Sequence, residues 1–236
     1  MSARRKRDKR IWCTDEEATL FKGIQKRNKK KTLINENVLI IGDLHEPFCL
    51  DGYLEHCIET YVKYECNRVV FIGDVIDNHY SSYHETDSNG MGGSDELEFA
   101  IQKLSKWYNA FPDADVTIGN HDRIIMRKAQ TSAIPSKWIK QYKEVLETPN
   151  WNFVEEVVYN GVRYVHGDKS SKARTAAKRD MMSTVTGHFH TAMGVGCGIN
   201  SKSYAMGYMQ GGKKEAVACG VVLNNGAIPI TIPMPL

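Results

Sequence analysis

The sequence predicts an α/β fold: a layered β-sandwich flanked by helices and preceded by a short basic N-terminal helical arm. In the first half of the chain, short apolar runs typical of strands buried on both faces alternate with segments of helical periodicity. The second half contains two Asn-Gly turns between apolar segments, which indicate β-hairpins. Alternating strands and helices that give way to hairpins are typical of layered α/β sheets.

The first half of the chain is expected to form buried strands separated by helices. The strands are the apolar runs at residues 38–41, 68–72 and 116–118. Helices are predicted between them at residues 51–64 and 95–111, the second from apolar residues that recur at helical intervals. Pro135 is expected to begin a further amphipathic helix. The apolar face of that helix would consist of Trp138, Ile139, Tyr142, Val145 and Leu146.

Hairpins are expected in the second half of the chain. Segments 153–159 and 162–165 flank Asn160-Gly161, and segments 217–223 and 227–232 flank Asn225-Gly226. Asn-Gly favours the two-residue turn that joins antiparallel strands, so both pairs of segments are predicted to be hairpins. A further short strand is expected to end at Val185, before a Gly-His turn.

The charge of the chain is unevenly distributed. Residues 1–31 hold 12 Lys and Arg and four acidic residues, so this segment has a net charge of +8. The whole chain has 31 basic and 28 acidic residues, so residues 32–236 hold 19 and 24 and have a net charge of −5. Thr14 and Glu17 have capping-box spacing, which predicts a short helix from Asp15. Residues 1–31 are therefore expected to form a basic arm and residues 32–236 a globular domain. Such an arm favours contact with nucleic acid or another anionic surface, and a solubilising or disordered tail is the alternative.

Hydropathy and cysteine usage exclude some classes of protein. Apolar runs such as residues 69–72 are far too short to span a bilayer, and we identify no apolar secretory segment near the N-terminus. The cysteines at positions 13, 49, 57, 66, 197 and 219 include no Cys-x-x-Cys pair. We therefore expect reduced thiols, no cysteine-based zinc site and a cytoplasmic location.

Polar residues follow five of the expected strands at the points where those strands end. In chain order the motifs are Gly42-Asp43-Leu44-His45, Gly73-Asp74-Val75-Ile76-Asp77, Gly119-Asn120-His121-Asp122, His166-Gly167-Asp168 and Gly187-His188-Phe189-His190. A glycine after a strand permits a tight turn, and open α/β sheets bind ligands outside the carboxyl ends of their strands. The polar side chains are therefore expected to converge in one crevice.

Seven of these side chains can bind a metal ion. They are Asp43, His45, Asp74, Asn120, His166, His188 and His190. One residue separates Asp43 from His45, and in extended backbone such a pair points to the same side. The same holds for the histidines at positions 188 and 190. A mixture of oxygen and nitrogen donors suits Mn²⁺, Fe or Zn²⁺ better than Ca²⁺ or a metal that prefers thiolates.

These motifs resemble the calcineurin-like metallophosphoesterase superfamily, whose signature is D-x-H, G-D-x-x-D, G-N-H-[D/E], an isolated His and G-H-x-H. The resemblance covers about residues 37–232 and makes residues 32–236 the catalytic domain, with a metallophosphoesterase fold. It implies one metal held by Asp43, His45, Asp74 and His190, and a second held by Asp74, Asn120, His166 and His188. Asp74 would bridge the two ions. His121 would face the substrate, and Asp77 would orient it.

Such a site supports phosphoester hydrolysis without a covalent enzyme intermediate. Two ions about 3.5–4 Å apart can generate hydroxide near neutral pH and neutralise phosphoryl oxygens. His121 is placed to stabilise developing charge or to protonate the leaving oxygen, and the Asp77 carboxylate could fix its tautomer. Asp122 is interpreted as a cap of the following helix rather than as an additional site residue, and Asp168 has no assigned role.

The resemblance defines the bond that is broken but not the molecule that contains it. Protein phosphatases of the superfamily have Asp-Arg-Gly at the end of the second motif, whereas Asn78 follows Asp77 here. This difference weakens the protein-phosphatase interpretation. The polar segment 77–94 is too long for an ordinary connection, and we hypothesise that it forms part of the substrate wall. Its candidate contacts are His79, Tyr80, Tyr83 and His84.

Three functions are compatible with the sequence. The first is a metal-dependent phosphodiesterase or nuclease whose basic arm contacts phosphates, and Gly-Asn-His-Asp is common in those branches of the superfamily. The second is a phosphomonoesterase acting on a nucleotide or a phosphoprotein. The third is a nucleic-acid-binding protein with an inactive site, which the complete ligand set disfavours. The expected cofactors are two divalent ions, Mn²⁺ before Fe or Zn²⁺, and the expected partner is a phosphoester, with no membrane contact.

Overall fold

The structure of the chain is a computed structural model, and it describes residues 36–83, 86–167, 173–188, 217–224 and 229–234. Several features predicted from the sequence lie outside these residues. They are the basic arm at residues 1–31 with its short helix, the candidate substrate contact His84, the predicted metal ligand His190 and the turn at Asn225-Gly226. Asp168, which has no assigned role, also lies outside the described residues.

The described residues form nine strands in two sheets. The strands are β1 (Val38–Ile41), β2 (Arg68–Phe71), β3 (Asp115–Thr117), β4 (Asn152–Val154), β5 (Glu156–Tyr159), β6 (Val162–Val165), β7 (Ser183–Val185), β8 (Ala218–Val222) and β9 (Pro229–Pro233). The larger sheet has six strands in the order β4-β3-β2-β1-β8-β9, and the smaller has three in the order β5-β6-β7. β1 to β4 are parallel, whereas β8 and β9 pair antiparallel, as the second predicted hairpin requires.

Helices connect the parallel strands. The described α-helices are α1 (Tyr53–Lys63), α2 (Gly93–Ala110), α3 (Ile124–Thr131), α4 (Tyr142–Val145) and α5 (Ala173–Asp180), and the 3₁₀ helices are His79–Ser81 and Ser136–Trp138. The helices predicted at residues 51–64 and 95–111 are confirmed as α1 and α2, within two residues at each end. Among the described helices, none combines the length and the apolar character needed to cross a bilayer.

The larger sheet is buried on both faces, which confirms the prediction from its apolar strands. Leu39 of β1 packs on one side in a core that includes Trp107 of α2. Its neighbour Ile40 packs on the other side in a core that includes Tyr164 of β6. Successive strand residues point to opposite faces, so one short strand serves both cores. Burying each large apolar side chain contributes about 1.5–3 kcal/mol, and these cores hold the ends of the parallel strands in fixed positions.

The helix predicted from Pro135 is wrong. The chain instead forms the 3₁₀ helix that ends at Trp138 and then the separate helix α4, with Ile139 between them in extended backbone (φ −106°, ψ 132°). The expected apolar face is not buried as a whole, because Trp138 at one end is 83% exposed although Leu146 at the other end is 2% exposed. Short helices depend on burial of an apolar face for their stability. Local capping decides the start of α4, where Gln141 N–H donates to Glu144 Oε2 at 2.9 Å.

The strand predicted at residues 153–159 is in fact two strands in different sheets. β4 pairs with β3 in the larger sheet, and β5 pairs with β6 in the smaller one, so the chain passes between sheets at Glu155. The hairpin prediction itself is confirmed, since Tyr159 pairs with Val162 across the turn. The turn residues Asn160 and Gly161 have positive φ angles of 51° and 71°, as a type I′ turn requires.

Candidate metal centre

The polar side chains predicted to converge meet at the carboxyl ends of the parallel strands. β1, β2 and β3 are parallel neighbours, so the residues that follow them lie side by side. β6 and β7 are also parallel to each other, and they bring two histidines to the same place. The predicted ligands that lie in the described residues and in this site are Asp43, His45, Asp74, Asn120, His166 and His188.

The carboxylate of Asp74 lies at the centre of the site. Its Oδ2 is 3.0 Å from His166 Nε2 and 3.8 Å from His45 Nε2. Its Oδ1 accepts a hydrogen bond of 2.7 Å from the backbone N–H of His121. Asp74 is therefore surrounded by residues that follow strands of both sheets.

The side-chain oxygen of Asn120 lies between the two histidines of the smaller sheet. Asn120 Oδ1 is 2.9 Å from His166 Nε2 and 2.8 Å from His188 Nδ1. An amide oxygen and two imidazole nitrogens at these distances can all reach one cation. Asn120, His166 and His188 are three of the four residues that the family resemblance implies as ligands of the second ion.

Two groups of three potential ligands share Asp74. The ligand atoms of His45, Asp74 and His121 lie within 4.8 Å of one another, and so do those of Asp74, His166 and His188. Asp74 thus occupies the position that a bridging carboxylate would take. His121, which the resemblance placed beside the substrate, also lies within ligand distance of the first group.

Asp43 contributes to the site through the smaller sheet. Its Oδ1 accepts a hydrogen bond of 2.9 Å from the backbone N–H of His188 and is 3.4 Å from His166 Nδ1. Asp43 therefore links the loop after β1 to both histidines of the second ligand group, in addition to its predicted role in the first.

Glycines allow the backbone to approach these ligands closely. A Cβ atom at Gly119 would overlap Asp74 Oδ1, and one at Gly187 would lie 2.7 Å from Asp43 Oδ2. Real Cβ atoms do not approach other atoms so closely. These two glycines therefore confirm the expectation that glycine beyond a strand is needed for a close turn at the site.

Three potential ligands adopt left-handed backbone conformations. The φ angle is 49° at His45, 48° at Asp74 and 70° at His188. Such a conformation costs on the order of 1–3 kcal/mol for a residue other than glycine, and it is concentrated at functional sites. The expectation that Asp43 and His45 share a side because their backbone is extended is therefore wrong. The chain turns sharply at His45 instead.

Asp77 holds two histidines of the site. Its Oδ1 is 2.7 Å from His45 Nδ1 and 3.4 Å from His121 Nδ1, while its backbone carbonyl accepts a hydrogen bond of 2.6 Å from His121 Nδ1. The Asp77 carboxylate was expected to fix the tautomer of His121, but its hydrogen bond is with His45. The backbone carbonyl of Asp77 fixes the tautomer of His121 instead. Asn78 Nδ2 also donates to His121 O at 2.9 Å, a contact that no sequence motif indicates.

His166 is oriented in the same way by a backbone group. Its Nδ1 is 2.9 Å from the carbonyl oxygen of Ile72. Donation from Nδ1 directs Nε2, which lies beside the oxygens of Asp74 and Asn120, toward a metal ion that these oxygens would share. Metal-ligating histidines commonly donate their other N–H to a carbonyl or a carboxylate, and this contact sets the ring orientation.

Asp122 is not the helix cap that the sequence suggested. α3 has no side-chain hydrogen bond at its N-terminus. The Asp122 carboxylate, 1% exposed, accepts hydrogen bonds from the backbone N–H groups of Asp74 (2.9 Å), Val75 (3.1 Å) and Gly119 (2.8 Å). Asp122 therefore ties the loop after β2 to the loop after β3.

Burial and neighbouring charges determine the protonation of the site. Burial disfavours charged His45, but the hydrogen bond with Asp77 and the nearby carboxylates outweigh it and raise the pKa of His45 to about 9. Asp74 similarly overcomes burial and raises the pKa of His166 to about 10. The histidines hold the pKa of Asp74 below its usual range in spite of burial, whereas burial raises the pKa of Asp43 to about 7.

The residues of the site fit divalent metal ions. Asp43 and Asp74 are 0% and 1% exposed, and a buried carboxylate is costly unless a positive partner balances it. Imidazole nitrogens surround them with the ligand spacing given above. This mixed donor set is typical of Mn²⁺, Fe or Zn²⁺ sites.

Within the segment at residues 77–94, His79 does not have the exposed position that the predicted substrate wall requires. This side chain is 8% exposed, and its Nε2 accepts a hydrogen bond of 3.2 Å from the backbone N–H of Asp87. Its own backbone N–H donates to Glu96 Oε1 at 2.8 Å. His79 therefore fixes the segment internally. Tyr83, in contrast, is 55% exposed.

Comparison with known families agrees with this geometry. The family model of the calcineurin-like phosphoesterases matches residues 36–200, which is more than half of the chain and includes all five strand-end motifs. The chain therefore belongs to the calcineurin-like phosphoesterase family. It is a hydrolase that acts on phosphoester bonds, and it carries candidate ligand groups for the divalent metals used by this family.

Solved structures that this chain resembles have low sequence identity to it. One is an archaeal phosphodiesterase (15% identity, TM-score 0.44, covering 84% of this chain and 99% of that one). Another is Vacuolar Protein Sorting 29 from Cryptosporidium parvum (16% identity, TM-score 0.43, covering 85% and 97%). A third is the phosphoesterase Yfce from E. coli (13% identity, TM-score 0.37, covering 84% and 100%). No curated protein sequence matches this chain significantly.

Proposed function

We propose that the protein is a divalent-metal-dependent phosphodiesterase or nuclease with a dinuclear centre. The observation that carries this proposal is the membership of Asp74 in both ligand groups, because a carboxylate shared between two groups is the arrangement that two-metal hydrolases use. A phosphomonoesterase acting on a nucleotide or a phosphoprotein is the alternative.

The proposed ligands divide between the two ions. Asp43, His45, Asp74 and His190 would hold the first, and Asp74, Asn120, His166 and His188 would hold the second. We propose Mn²⁺ as the metal, with Fe or Zn²⁺ as alternatives, because oxygen and nitrogen donors are mixed in each group. When bound, such ions activate the attacking water and neutralise the phosphoryl oxygens.

His121 is the proposed general acid. Its Nδ1 donates to the Asp77 carbonyl, and Asn78 holds its backbone, so Nε2 remains as the nitrogen that can deliver a proton to the leaving oxygen. A positioned acid of this kind contributes about 10²–10⁴-fold to the rate. Its edge-on contact with the His45 ring, with centroids 4.6 Å apart, further restricts its orientation.

Two features favour a diester over a phosphoprotein as substrate. The position after Asp77 holds Asn78 rather than the arginine of the protein phosphatases, and the Asn78 side chain bonds to the His121 backbone. The basic arm at residues 1–31, with net charge +8, would supply salt-dependent contact with phosphates if the substrate is nucleic acid.

Replacement of His121 by alanine is expected to lower kcat by about 10²–10⁴-fold while metal content stays stoichiometric. A panel of model phosphomonoesters and phosphodiesters, assayed with Mn²⁺ in wild type and variant, measures this effect and identifies the preferred class of ester. Metal content is measured on the same preparations.

The matched control is His56→Ala, since His56 lies on α1 and contacts the carbonyl of Ile232, 3.2 Å away. This control should hydrolyse the preferred ester at the wild-type rate. Loss of metal in His121→Ala would instead make His121 a ligand, and a rate within threefold of wild type would remove it from the reaction. Faster hydrolysis of monoesters would favour the alternative function.

A further inference from the structure

The positive charge of the described domain is concentrated beside the metal centre. Residues 123–143 contain six cations and no acidic residue, although residues 32–236 as a whole carry a net charge of −5. The cations are Arg123, Arg127, Lys128, Lys137, Lys140 and Lys143. This segment therefore presents a local positive field on an otherwise acidic domain.

Most of these cations face solvent. Arg127, Lys137, Lys140 and Lys143 are exposed, and Lys128 is half-buried. Arg123 pairs with Glu155. The five other cations form no ion pair with a carboxylate of the described residues. Such cations can contact an anionic ligand without first breaking an ion pair in this part of the protein.

Two exposed aromatic rings lie among these cations. Trp138 is 83% exposed and Tyr83 is 55% exposed, so both present a ring face or edge to solvent. The Tyr83 ring centroid is 5.0 Å from the guanidinium of Arg127 and 5.4 Å from the ammonium of Lys128. Tyr83 is thus flanked by two cations of α3, and Trp138 stands between Lys137 and Lys140 along the chain.

This surface adjoins the catalytic histidine. The first residue of α3 donates its N–H to His121 O at 3.1 Å, and Arg127 lies on the second turn of this helix. Asn78, which begins the segment leading to Tyr83, also donates to His121 O. The 3₁₀ helix that ends at Trp138 packs against α3. The elements that carry these cations and rings are therefore joined to the backbone of His121, either directly or through α3.

We propose that this surface binds single-stranded nucleic acid and leads one strand to the metal centre. We call it the basic aromatic surface and define it by Tyr83, Arg127, Lys128, Lys137, Trp138 and Lys140. The inference rests on the proposed phosphodiesterase or nuclease function and specifies its substrate class. Lysine and arginine contact the phosphates, and the exposed rings stack on bases, which is the combination that binds single strands. A duplex keeps its bases stacked on one another and offers few free faces to Trp138.

Binding of a labelled oligothymidine of about 16 nucleotides, a length within reach of one such surface, tests the proposal. Fluorescence anisotropy of the full chain is measured over a range of salt concentrations, with EDTA present to prevent cleavage. Trp138→Ala is expected to weaken binding about tenfold, whereas Trp138→Phe retains a ring and should bind within about twofold of wild type. Lys137→Gln combined with Lys140→Gln should reduce the salt slope by about 0.7 for each lost contact.

Control substitutions remove two lysines and one exposed apolar side chain elsewhere on the protein. Lys63→Gln combined with Lys106→Gln makes the same change in charge at exposed positions on α1 and α2. Met181→Ala removes an apolar side chain that is 93% exposed. Both controls should bind as wild type does. The proposal is overturned if the Trp138 and lysine variants also bind as wild type does, or if a duplex of equal length binds as tightly with no effect of Trp138→Ala.

A second measurement separates this inference from the proposed function. The kcat/KM for a small phosphodiester such as bis-p-nitrophenyl phosphate should be unchanged in Trp138→Ala, while kcat/KM for the oligonucleotide falls about tenfold. If wild type hydrolyses the small diester but the oligonucleotide results match the controls, only this inference fails. If wild type binds the oligonucleotide as expected but hydrolyses no diester, the proposed function fails instead.

Discussion

Replacement of Asp74 by asparagine is expected to abolish hydrolysis of every phosphoester, with a loss of at least about 1,000-fold in kcat/KM. Asp74 is common to both ligand groups, so loss of its negative charge should lower the affinity for both proposed ions at once. Asparagine keeps the size of the side chain, and its Oδ1 can still accept the hydrogen bond from His121 N–H. Steady-state kinetics with Mn²⁺ and metal analysis of the purified variant measure the effect.

The exposed carboxylate of Asp113 provides the control for Asp74→Asn. Asp113→Asn makes the same chemical change and should retain wild-type metal content and rate. Far-UV circular dichroism should show that both variants are folded. Stoichiometric binding of two ions by Asp74→Asn, or activity within tenfold of wild type, would contradict a bridging role for this residue.

Replacement of Asp122 by alanine is expected to destabilise the protein by at least about 3 kcal/mol. Its carboxylate accepts hydrogen bonds from three backbone N–H groups in the loops after β2 and β3. Alanine leaves these buried donors without an acceptor, at about 1–3 kcal/mol for each. Because one of the donors is the backbone N–H of Asp74, metal binding should weaken as well. Urea unfolding measures the free energy of unfolding, which should fall well below that of wild type.

Asp113→Ala is the control for Asp122→Ala. Substitution of an exposed residue of this kind changes the free energy of unfolding by about 0.5 kcal/mol or less. A helix cap at Asp122 would cost about 1 kcal/mol on removal, much less than the loss of three buried hydrogen bonds. A measured destabilisation near 1 kcal/mol would therefore favour the capping interpretation over the observed geometry.

The features that the sequence predicts well are those with a local physical cause. The run at residues 38–41 is apolar because β1 faces two cores, and this can be read without knowing which elements supply them. Asn160-Gly161 forms its turn because both residues tolerate positive φ. The strand-end motifs likewise predict a shared site, since parallel strands must align their carboxyl ends.

The features that the sequence does not predict depend on partners that are distant along the chain. The segment after Pro135 has helical periodicity, but Trp138 is 83% exposed and no element among the described residues covers it, so the periodicity does not produce one continuous helix. Asp122 stands where a helix cap is expected, yet two of its three donors lie in a loop 47 and 48 residues earlier. Asp77 bonds to His45, which is 32 residues away. No local pattern contains this information.

The division of the ligands between two sheets has a consequence for the thermodynamics of the whole chain. Asp43, His45, Asp74 and Asn120 follow strands of the larger sheet, whereas His166 and His188 follow strands of the smaller one. Ions held by both sets would bind the folded chain and not the unfolded one. At 100 times the dissociation constant, one such ion adds about 2.7 kcal/mol to the free energy of unfolding. The melting temperature of this protein should therefore rise with the concentration of free Mn²⁺ and fall in EDTA. The binding equilibrium that would fill the proposed metal centre would then also set how much heat the chain tolerates.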